Sequence, residues 1–218
     1  MSGERRPATA VICDFGGVLT TPLIRAMSAY TERARITLVD LAEALARAAD
    51  ADGGRHPLFE LERGAISERR YVEMLESELG ELVDFEGFRD VFMDNLLPNE
   101  PMIALMRSLR ARGLRVAMLT NNVREWEPLW RAKIPDIDEL FEVIVDSAFV
   151  GMRKPEPEIY ELTLERLGHG LEARECLFVD DLEINCEAAR ALGMNAVRFV
   201  DSEQAIAEIE AALDDGEG

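Results

Sequence analysis

An apolar run over residues 10–13 leads directly into Asp14, and the turn that follows contains Gly16 and Gly17. Short apolar runs rich in β-branched residues are typical of buried strands in a parallel sheet. A carboxylate at the end of such a strand points to a ligand, because binding sites form outside the carboxyl ends of these strands. The two glycines let the backbone approach an ion closely. The alternative is that Asp14 only caps a turn or a helix.

Polar residues also follow three later apolar runs, and these residues are Thr120 with Asn121, Lys154, and Asp180 with Asp181. Carboxylates brought together repel each other and raise one another's pKa unless a cation lies between them. Their hard oxygen atoms favour Mg²⁺, which binds few carboxylates and keeps places for water and a substrate phosphate. Each group has an ordinary alternative as a turn, a helix cap or a surface charge. Their recurrence at successive strand ends favours one convergent site.

The elements that must position these residues alternate along the chain after Pro98. The pattern predicts helices over 100–112, 156–167 and 183–192 and from Ser202, and strands over 114–119, 141–145, 176–179 and 196–200. Alternation of this kind implies right-handed crossovers and a parallel sheet covered on both faces. The carboxyl ends of the strands, with their polar residues, then meet at one edge.

Between residues 21 and 97 the sequence has only helical patterns. Helices are predicted over 30–49, from an N-cap at Ser67, and over 84–95. We therefore predict an α/β fold, a doubly wound, Rossmann-like parallel sheet with an inserted small all-helical cap domain. The predicted core comprises residues 1–20 and 98–218, and the predicted cap comprises residues 21–97.

Composition excludes several classes of partner. The 218 residues carry a formal net charge of −19, which disfavours nucleic acid and anionic membrane surfaces. A small anionic ligand is still compatible, because local groups and a bound cation reverse the field within a pocket. No apolar stretch has membrane-spanning length and no leader-like segment is present, so we expect a cytoplasmic protein. The three cysteines are predicted to be buried hydrophobic residues.

The four groups, in this order, resemble the four motifs of the haloacid dehalogenase-like hydrolase superfamily over essentially the whole chain. The matching segments are Asp14-Phe15-Gly16-Gly17-Val18, Thr120-Asn121, Lys154 within residues 151–160, and Asp180-Asp181. The branch that the chain resembles most contains bacterial glucose-1-phosphate phosphatases and the N-terminal phosphatase domain of soluble epoxide hydrolase. The helical insertion lies where that branch carries its cap.

The resemblance implies hydrolysis of a small phosphomonoester, such as a sugar phosphate, through a covalent aspartyl-phosphate on Asp14. It implies a Mg²⁺ ion bound by Asp14, the Gly16 carbonyl and Asp181, with Asp180 in support. The phosphoryl oxygens would be held by Thr120, the Asn121 backbone and Lys154, with Asn185 at a further phosphate-side position. The expected partner is the phosphorylated small molecule, and the expected assembly is a monomer or a homodimer.

One position departs from the pattern of the superfamily. Most of its phosphatases have a second Asp two residues after the nucleophile, which protonates the leaving oxygen, and Gly16 stands there in this chain. Loss of such a general acid typically slows a reaction about 10²- to 10⁴-fold. The substrate could have a good leaving group, a cap residue could substitute, or the chain could be a weakened descendant. The cap candidates are His56, Glu60 and Glu62.

Two other functions stay open from sequence. A 2-haloacid dehalogenase uses the same nucleophile without the second Asp, and a catalytically weakened phosphate-binding or regulatory protein needs no acid. The candidates among cap residues to face the site are Arg25, Tyr30, His56, Phe59 and Glu60, although helix positions like these more often pack within the cap or lie in solvent. Trp126 and Trp130, four residues apart, are predicted to share a helix face in packing or along the cleft between cap and core.

Overall fold

The computed structural model describes residues 8–80, 87–168 and 170–214. Its centre is a five-stranded parallel sheet in the order β3-β2-β1-β4-β5. The strands are β1 (Ala10–Cys13), β2 (Arg115–Thr120), β3 (Val143–Asp146), β4 (Cys176–Asp180) and β5 (Asn195–Arg198). The order reverses at β1, which pairs with both β2 and β4, so the predicted doubly wound sheet is confirmed.

Helices of the core cover both faces of the sheet. They are α6 (Glu100–Ala111), α7 (Glu127–Arg131), α8 (Ile137–Leu140), α9 (Ser147–Val150), α10 (Pro157–Leu167), α11 (Glu183–Ala191) and α12 (Ser202–Asp214). Side chains of β1 alternate between two apolar clusters: Val11 and Cys13 join one, whereas Ala10 and Ile12 join the other. This alternation follows from the twofold period of a strand and buries β1 completely.

Within the described residues, five helices form the cap between the first strand and α6. They are α1 (Leu23–Ala34), α2 (Leu38–Ala51), α3 (Pro57–Glu62), α4 (Glu68–Leu79) and α5 (Phe88–Asn95). The chain enters and leaves this block at one place, where Thr20 and Pro98 form an isolated antiparallel bridge. We propose this bridge as the boundary between core and cap.

The prediction of a single helix over residues 30–49 is wrong. The structure has two helices there, because Arg35 adopts a left-handed conformation (φ 57°) that ends α1. Thr37 then starts α2 through a capping box: its hydroxyl accepts from the Asp40 amide, and the Asp40 carboxylate accepts from the Thr37 amide. The helix predicted over 84–95 is described only from Phe88, and residues 84–86 lie outside the described residues.

Other expectations are confirmed with small shifts of boundary. The first residues of β2 and β3 lie one and two positions beyond their predicted starts, and β5 ends at Arg198 rather than at residue 200. All three cysteines are buried and free. Within the described ranges, no helix combines the length and the apolar character needed to cross a bilayer.

The N-cap of α4 gives a direct test of the cap's local structure. The Ser67 hydroxyl accepts a hydrogen bond of 3.2 Å from the Arg70 amide. Ser67→Ala is expected to lower the free energy of unfolding by about 1 kcal/mol, because this amide loses its partner. Urea denaturation measures the change. Ser77→Ala, at an exposed position within the same helix, is the control and should leave stability unchanged or slightly higher. Equal losses in the two variants would contradict the cap assignment.

Candidate active site

A buried lysine joins two of the predicted site residues. The Lys154 ammonium lies 2.7 Å from the Asp14 carboxylate and 2.6 Å from that of Asp180. Parallel pairing brings the carboxylates together, because Cys13 is in register with Val179 and the next residue of each strand is an aspartate. Lys154 reaches them from the loop before α10. The three side chains therefore form one charged group at the carboxyl edge of the sheet.

Burial and mutual charge shift the pKa values of this group. Burial raises the pKa of Asp14, against the opposing effect of the Lys154 ammonium. Burial lowers the pKa of Lys154, but the two carboxylates outweigh it, so the pKa is raised and the ammonium stays protonated. When both carboxylates are ionised, one cation between them leaves the group with a negative charge, to which an ionised Asp181 adds.

Asp180 is hydrogen-bonded through both carboxylate oxygens. One oxygen accepts from Lys154, and the other accepts from the Leu182 amide and the Asn185 side-chain amide, each at 2.9 Å. Asn185 is buried on the first turns of α11 and orients Asp180 directly. This contact fits the supporting role predicted for Asp180. The phosphate-side contact predicted for Asn185 stays a prediction.

Asn121 fixes the backbone of the lysine. Its side-chain oxygen accepts from the Lys154 amide at 2.8 Å, and its side-chain nitrogen donates to the Lys154 carbonyl at 3.0 Å. Thr120, at the end of β2, is buried beside it. The sequence predicted only backbone binding for Asn121, so this clamp was missed. The one feature of the sequence that could have indicated this contact is an amide side chain directly after the end of a strand.

Gly17 gives Asp181 room to approach the first loop. Gly17 has φ +85°, and a Cβ at this position would lie 2.5 Å from a carboxylate oxygen of Asp181. Asp14, Asp180 and Asp181 each offer an oxygen atom within 4.8 Å of the others. Hard oxygen donors at this spacing, with Asp180 already hydrogen-bonded, fit a Mg²⁺ ion held mainly by Asp14 and Asp181.

Asn99 and Thr20 hold the loop between Asp14 and the cap. The Asn99 side chain donates to the Val18 carbonyl at 2.8 Å, and its backbone amide donates to the Leu19 carbonyl at 2.8 Å. The Thr20 hydroxyl accepts from the Gly17 amide at 3.2 Å. The first loop is thus tied to the segment that returns from the cap.

A cavity of about 140 Å³ lies between the cap and the carboxyl edge of the sheet. We call it the cap cavity. It is bounded by Gly16, Thr120 and Asn121 on the core side, and by apolar side chains that include Leu23, Phe92 and Trp126. Leu23 packs over Gly16, the position at which the first motif departs from the superfamily pattern. A Cβ on Gly16 would lie 3.0 Å from a Leu23 methyl carbon. Nothing in the sequence signals this contact, which depends on how α1 enters the cap.

Most of the predicted cap residues do not line the cap cavity. Arg25 is exposed, Tyr30 packs edge-on against Phe88, and Glu60 pairs with Arg63 at 3.0 Å. His56 stacks on Phe59, and the Arg153 guanidinium lies 4.0 Å from the centre of the Phe59 ring. Among the three acid candidates, only Glu62 belongs to the described lining.

Glu62 also connects the cap to the core. Its carboxylate accepts from Arg153 at 2.6 Å, and its backbone carbonyl accepts from the Ser147 hydroxyl at 2.6 Å. A reciprocal ion pair joins Arg63 of the cap to Glu156 of the core. Burial raises the pKa of Glu62, and Arg153 opposes this shift. Sequence analysis did not identify these residues as partners, because about ninety residues separate the members of each pair.

The two tryptophans separate in role. Trp126 lines the cap cavity and packs on Phe92 with a ring separation of 5.2 Å. Trp130 is fully buried against Phe15 at 5.3 Å, close to the first loop. They do not share one regular helix, because a 3₁₀ turn ends at Trp126 before α7 begins. Trp130 therefore packs within the core, whereas Trp126 lies in the cleft between cap and core.

The protein is therefore a cap-bearing α/β protein with a doubly wound sheet, and its carboxylates, a lysine and a threonine lie at the carboxyl edge of that sheet. The sequence profile of the haloacid dehalogenase-like hydrolases matches residues 8–193. The chain belongs to this family of hydrolases.

Two curated relatives illustrate its range. Bifunctional epoxide hydrolase 2 of Sus scrofa is 26% identical over 92% of this chain and 38% of its own length. A sesquiterpene phosphatase of Aspergillus oryzae is 37% identical over 49% of this chain and 53% of its own length. The alignments thus span about half or less of these relatives.

Solved structures share the fold. A haloacid dehalogenase-family enzyme of Bacteroides thetaiotaomicron, in complex with magnesium and inorganic phosphate, superposes with a TM-score of 0.65 at 22% identity. The superposition covers 88% of this chain and 93% of that chain. The likeness extends over cap and core together.

The close approach of Asp181 to Gly17 predicts a specific effect of one methyl group. Gly17→Ala should abolish the rise in melting temperature on adding Mg²⁺, because the new Cβ displaces an Asp181 oxygen. Gly113→Ala is the matched control: Gly113 has φ +88° and nothing lies within 4 Å of the position that a Cβ would take, so it shares the backbone strain alone. Thermal unfolding with and without Mg²⁺ measures both. A Mg²⁺ response retained in Gly17→Ala would contradict the assigned geometry.

Proposed function

We propose that this hydrolase is a Mg²⁺-dependent phosphatase that cleaves small phosphomonoesters through a phosphoryl group on Asp14. The observation that supports it best is the Lys154 ammonium held between Asp14 and Asp180. A nucleophilic carboxylate must meet an anionic phosphate, and a buried cation beside it lowers that repulsion. The phosphatase names of relatives and the magnesium and phosphate in the Bacteroides structure support the same interpretation.

Asp14, Asp181 and the Gly16 carbonyl would hold the Mg²⁺ ion, which when bound neutralises charge on the phosphoryl oxygens. Asp180 keeps its hydrogen bonds to Lys154, Leu182 and Asn185 and orients the lysine. Thr120, the Asn121 backbone and Lys154 would contact the phosphoryl oxygens. Such a site acts mainly by positioning and by charge stabilisation, which is how phosphoryl transfer is catalysed in general.

The reaction has two displacements. An Asp14 oxygen attacks phosphorus, the bond from phosphorus to the ester oxygen breaks, and the leaving oxygen takes a proton to depart as an alcohol. Water then attacks the same phosphorus, the bond to Asp14 breaks, and inorganic phosphate leaves with the Asp14 carboxylate restored. Lys154 remains protonated throughout and stabilises negative charge on the nucleophile and on the phosphoryl group.

Glu62 is our candidate for the acid that Gly16 cannot supply. It lines the cap cavity, as Gly16 and Thr120 do, and burial raises the pKa of its carboxyl against the opposing effect of Arg153. In the first step the Glu62 carboxyl would give its proton to the leaving oxygen. In the second step the carboxylate would take a proton from the attacking water, which restores the acid.

Asp14→Asn is expected to abolish hydrolysis and to leave the fold intact, because an amide has the shape of the carboxylate but does not attack phosphorus. The measurement is steady-state hydrolysis of p-nitrophenyl phosphate, acyl phosphates and sugar phosphates with Mg²⁺ and with a chelator. Circular dichroism serves as the folding control.

Each alternative function has its own outcome when a 2-haloacid is added to that panel. Turnover of a 2-haloacid with chelator present, and of no phosphate ester, would identify a dehalogenase. Binding without turnover of any substrate would identify a regulatory phosphate-binding protein. Normal phosphatase activity in Asp14→Asn would overturn the assignment of the nucleophile.

The proposed role of Glu62 predicts that the loss of rate on its substitution depends on the leaving group of the substrate. Glu62→Gln should lower kcat for alkyl phosphates by about 10²-fold, since an alkoxide needs a proton to leave. The value of kcat for p-nitrophenyl phosphate should fall much less, because its leaving group is a stable anion. The alkaline limb of the pH-rate profile for alkyl phosphates should also disappear.

Glu60→Gln is the control, because Glu60 pairs with Arg63 and does not belong to the described lining. It should leave both classes of substrate unaffected. Equal losses for alkyl and aryl substrates in Glu62→Gln would indicate that Glu62 acts only by holding Arg153.

A further inference from the structure

The lining of the cap cavity combines a few polar core residues with a mainly apolar wall. Gly16, Thr120 and Asn121, which belong to the proposed phosphate-binding loops of the core, form part of it. The rest of the wall consists mostly of aliphatic and aromatic side chains, among them Met27, Phe88 and Met93 of the cap. The cavity therefore reaches the proposed phosphate-binding loops and is otherwise mainly apolar. A phosphate ester bound there would place its alcohol group against hydrocarbon.

Leu23 extends this apolar character to the reaction centre. Its methyl carbons lie 3.0–3.1 Å from the position that a Cβ on Gly16 would take. A carboxylate at position 16 would thus compete with Leu23 for space, and the leaving group meets a hydrocarbon surface there instead. Leu23 thus occupies space that the side chain of the usual Asp would need.

Few polar groups are available to pair with a polyhydroxylated substrate. Within the described lining, the polar side chains outside the proposed phosphate-binding pair Thr120 and Asn121 are Glu62, Tyr71 and Asn122, apart from the Trp126 indole nitrogen. A buried hydroxyl left without a partner weakens binding by about 5- to 150-fold. The lining thus selects against sugar phosphates.

The volume limits the size of the group. The cap cavity holds about 140 Å³. An engineered cavity of about 150 Å³ in another protein stays dry and binds benzene. A single aromatic ring, or a branched or linear chain of about five or six carbons, is therefore the group that fills this space.

We propose that the substrates are apolar phosphomonoesters, in which a single phosphate is attached to an uncharged aliphatic or aromatic group of about six carbons. The proposal rests on the proposed phosphatase function and specifies the alcohol that this same site releases. It replaces the sugar phosphate expected from sequence. The phosphate provides binding at the core, and the apolar group provides selectivity at the cap.

The direct test uses alkylphosphonates, which keep the charged head but have no ester bond to hydrolyse. Binding to the wild-type protein with Mg²⁺ is measured by calorimetry for methyl- to octylphosphonate. The dissociation constant should fall about threefold to fourfold for each added methylene, and level off near six carbons. 4-Hydroxybutylphosphonate should bind at least about fivefold more weakly than pentylphosphonate, its isostere.

Two neighbouring substitutions on α1 provide the matched variants. Leu23→Asn should flatten the dependence on chain length, because Leu23 lines the cap cavity, and it should fold normally since Leu23 is 41% exposed. Ile24→Asn changes the next residue, which is 59% exposed and outside the described lining. It should leave the whole series of dissociation constants unchanged.

The outcomes separate this proposal from the function on which it rests. Turnover of p-nitrophenyl phosphate together with phosphonate affinities independent of chain length would overturn the apolar substrate class and leave the phosphatase standing. A steep chain-length dependence without turnover of any phosphate ester would overturn the phosphatase and support the ligand class. Tighter binding of hydroxylated than of alkyl phosphonates, or no phosphonate binding, would overturn the proposal.

Discussion

The site depends on one buried ammonium group between two carboxylates. Lys154, Asp14 and Asp180 are almost completely removed from water, and burying any one of these charges alone would be strongly unfavourable. Their close pairing offsets that penalty and explains why so much of the surroundings is committed to holding them. Asn121 fixes the lysine backbone, while Asn185 and the Leu182 amide fix Asp180. Together with Asp181, Asp14 and Asp180 form an acidic cluster that fits a divalent cation.

The cap supplies a second environment of opposite character. Opposing ion pairs, Glu62 with Arg153 and Arg63 with Glu156, join it to the segment that bears Lys154. The cap cavity that this contact encloses is largely apolar, so a charged head and a hydrocarbon tail would be bound by different domains. Arg153 directly precedes Lys154, so the Glu62 contact connects the cap to the segment that bears the lysine.

Physical chemistry explains which features sequence alone could predict. The strand ends were predictable because a buried apolar run followed by Asp14 or Asp180 has few explanations, and a parallel sheet must bring such ends together. The split between α1 and α2 was missed, because it depends on a left-handed Arg35, a conformation that residue type does not announce. Leu23 over Gly16 and the pairing of Glu62 with Arg153 were also not predictable, since both depend on how the cap docks. Periodicity describes each helix separately and carries no information about that docking.

The central claim is that Asp14 carries the phosphoryl group during turnover. The most direct measurement is the mass of the protein after acid quenching in the presence of Mg²⁺ and acetyl phosphate, followed by mapping of the labelled peptide. We predict the added mass of one phosphoryl group, located on Asp14 and removed by hydroxylamine, which cleaves acyl phosphates. Turnover of acetyl phosphate with no labelled protein at any time of quenching, or with the label on another residue, would contradict this claim.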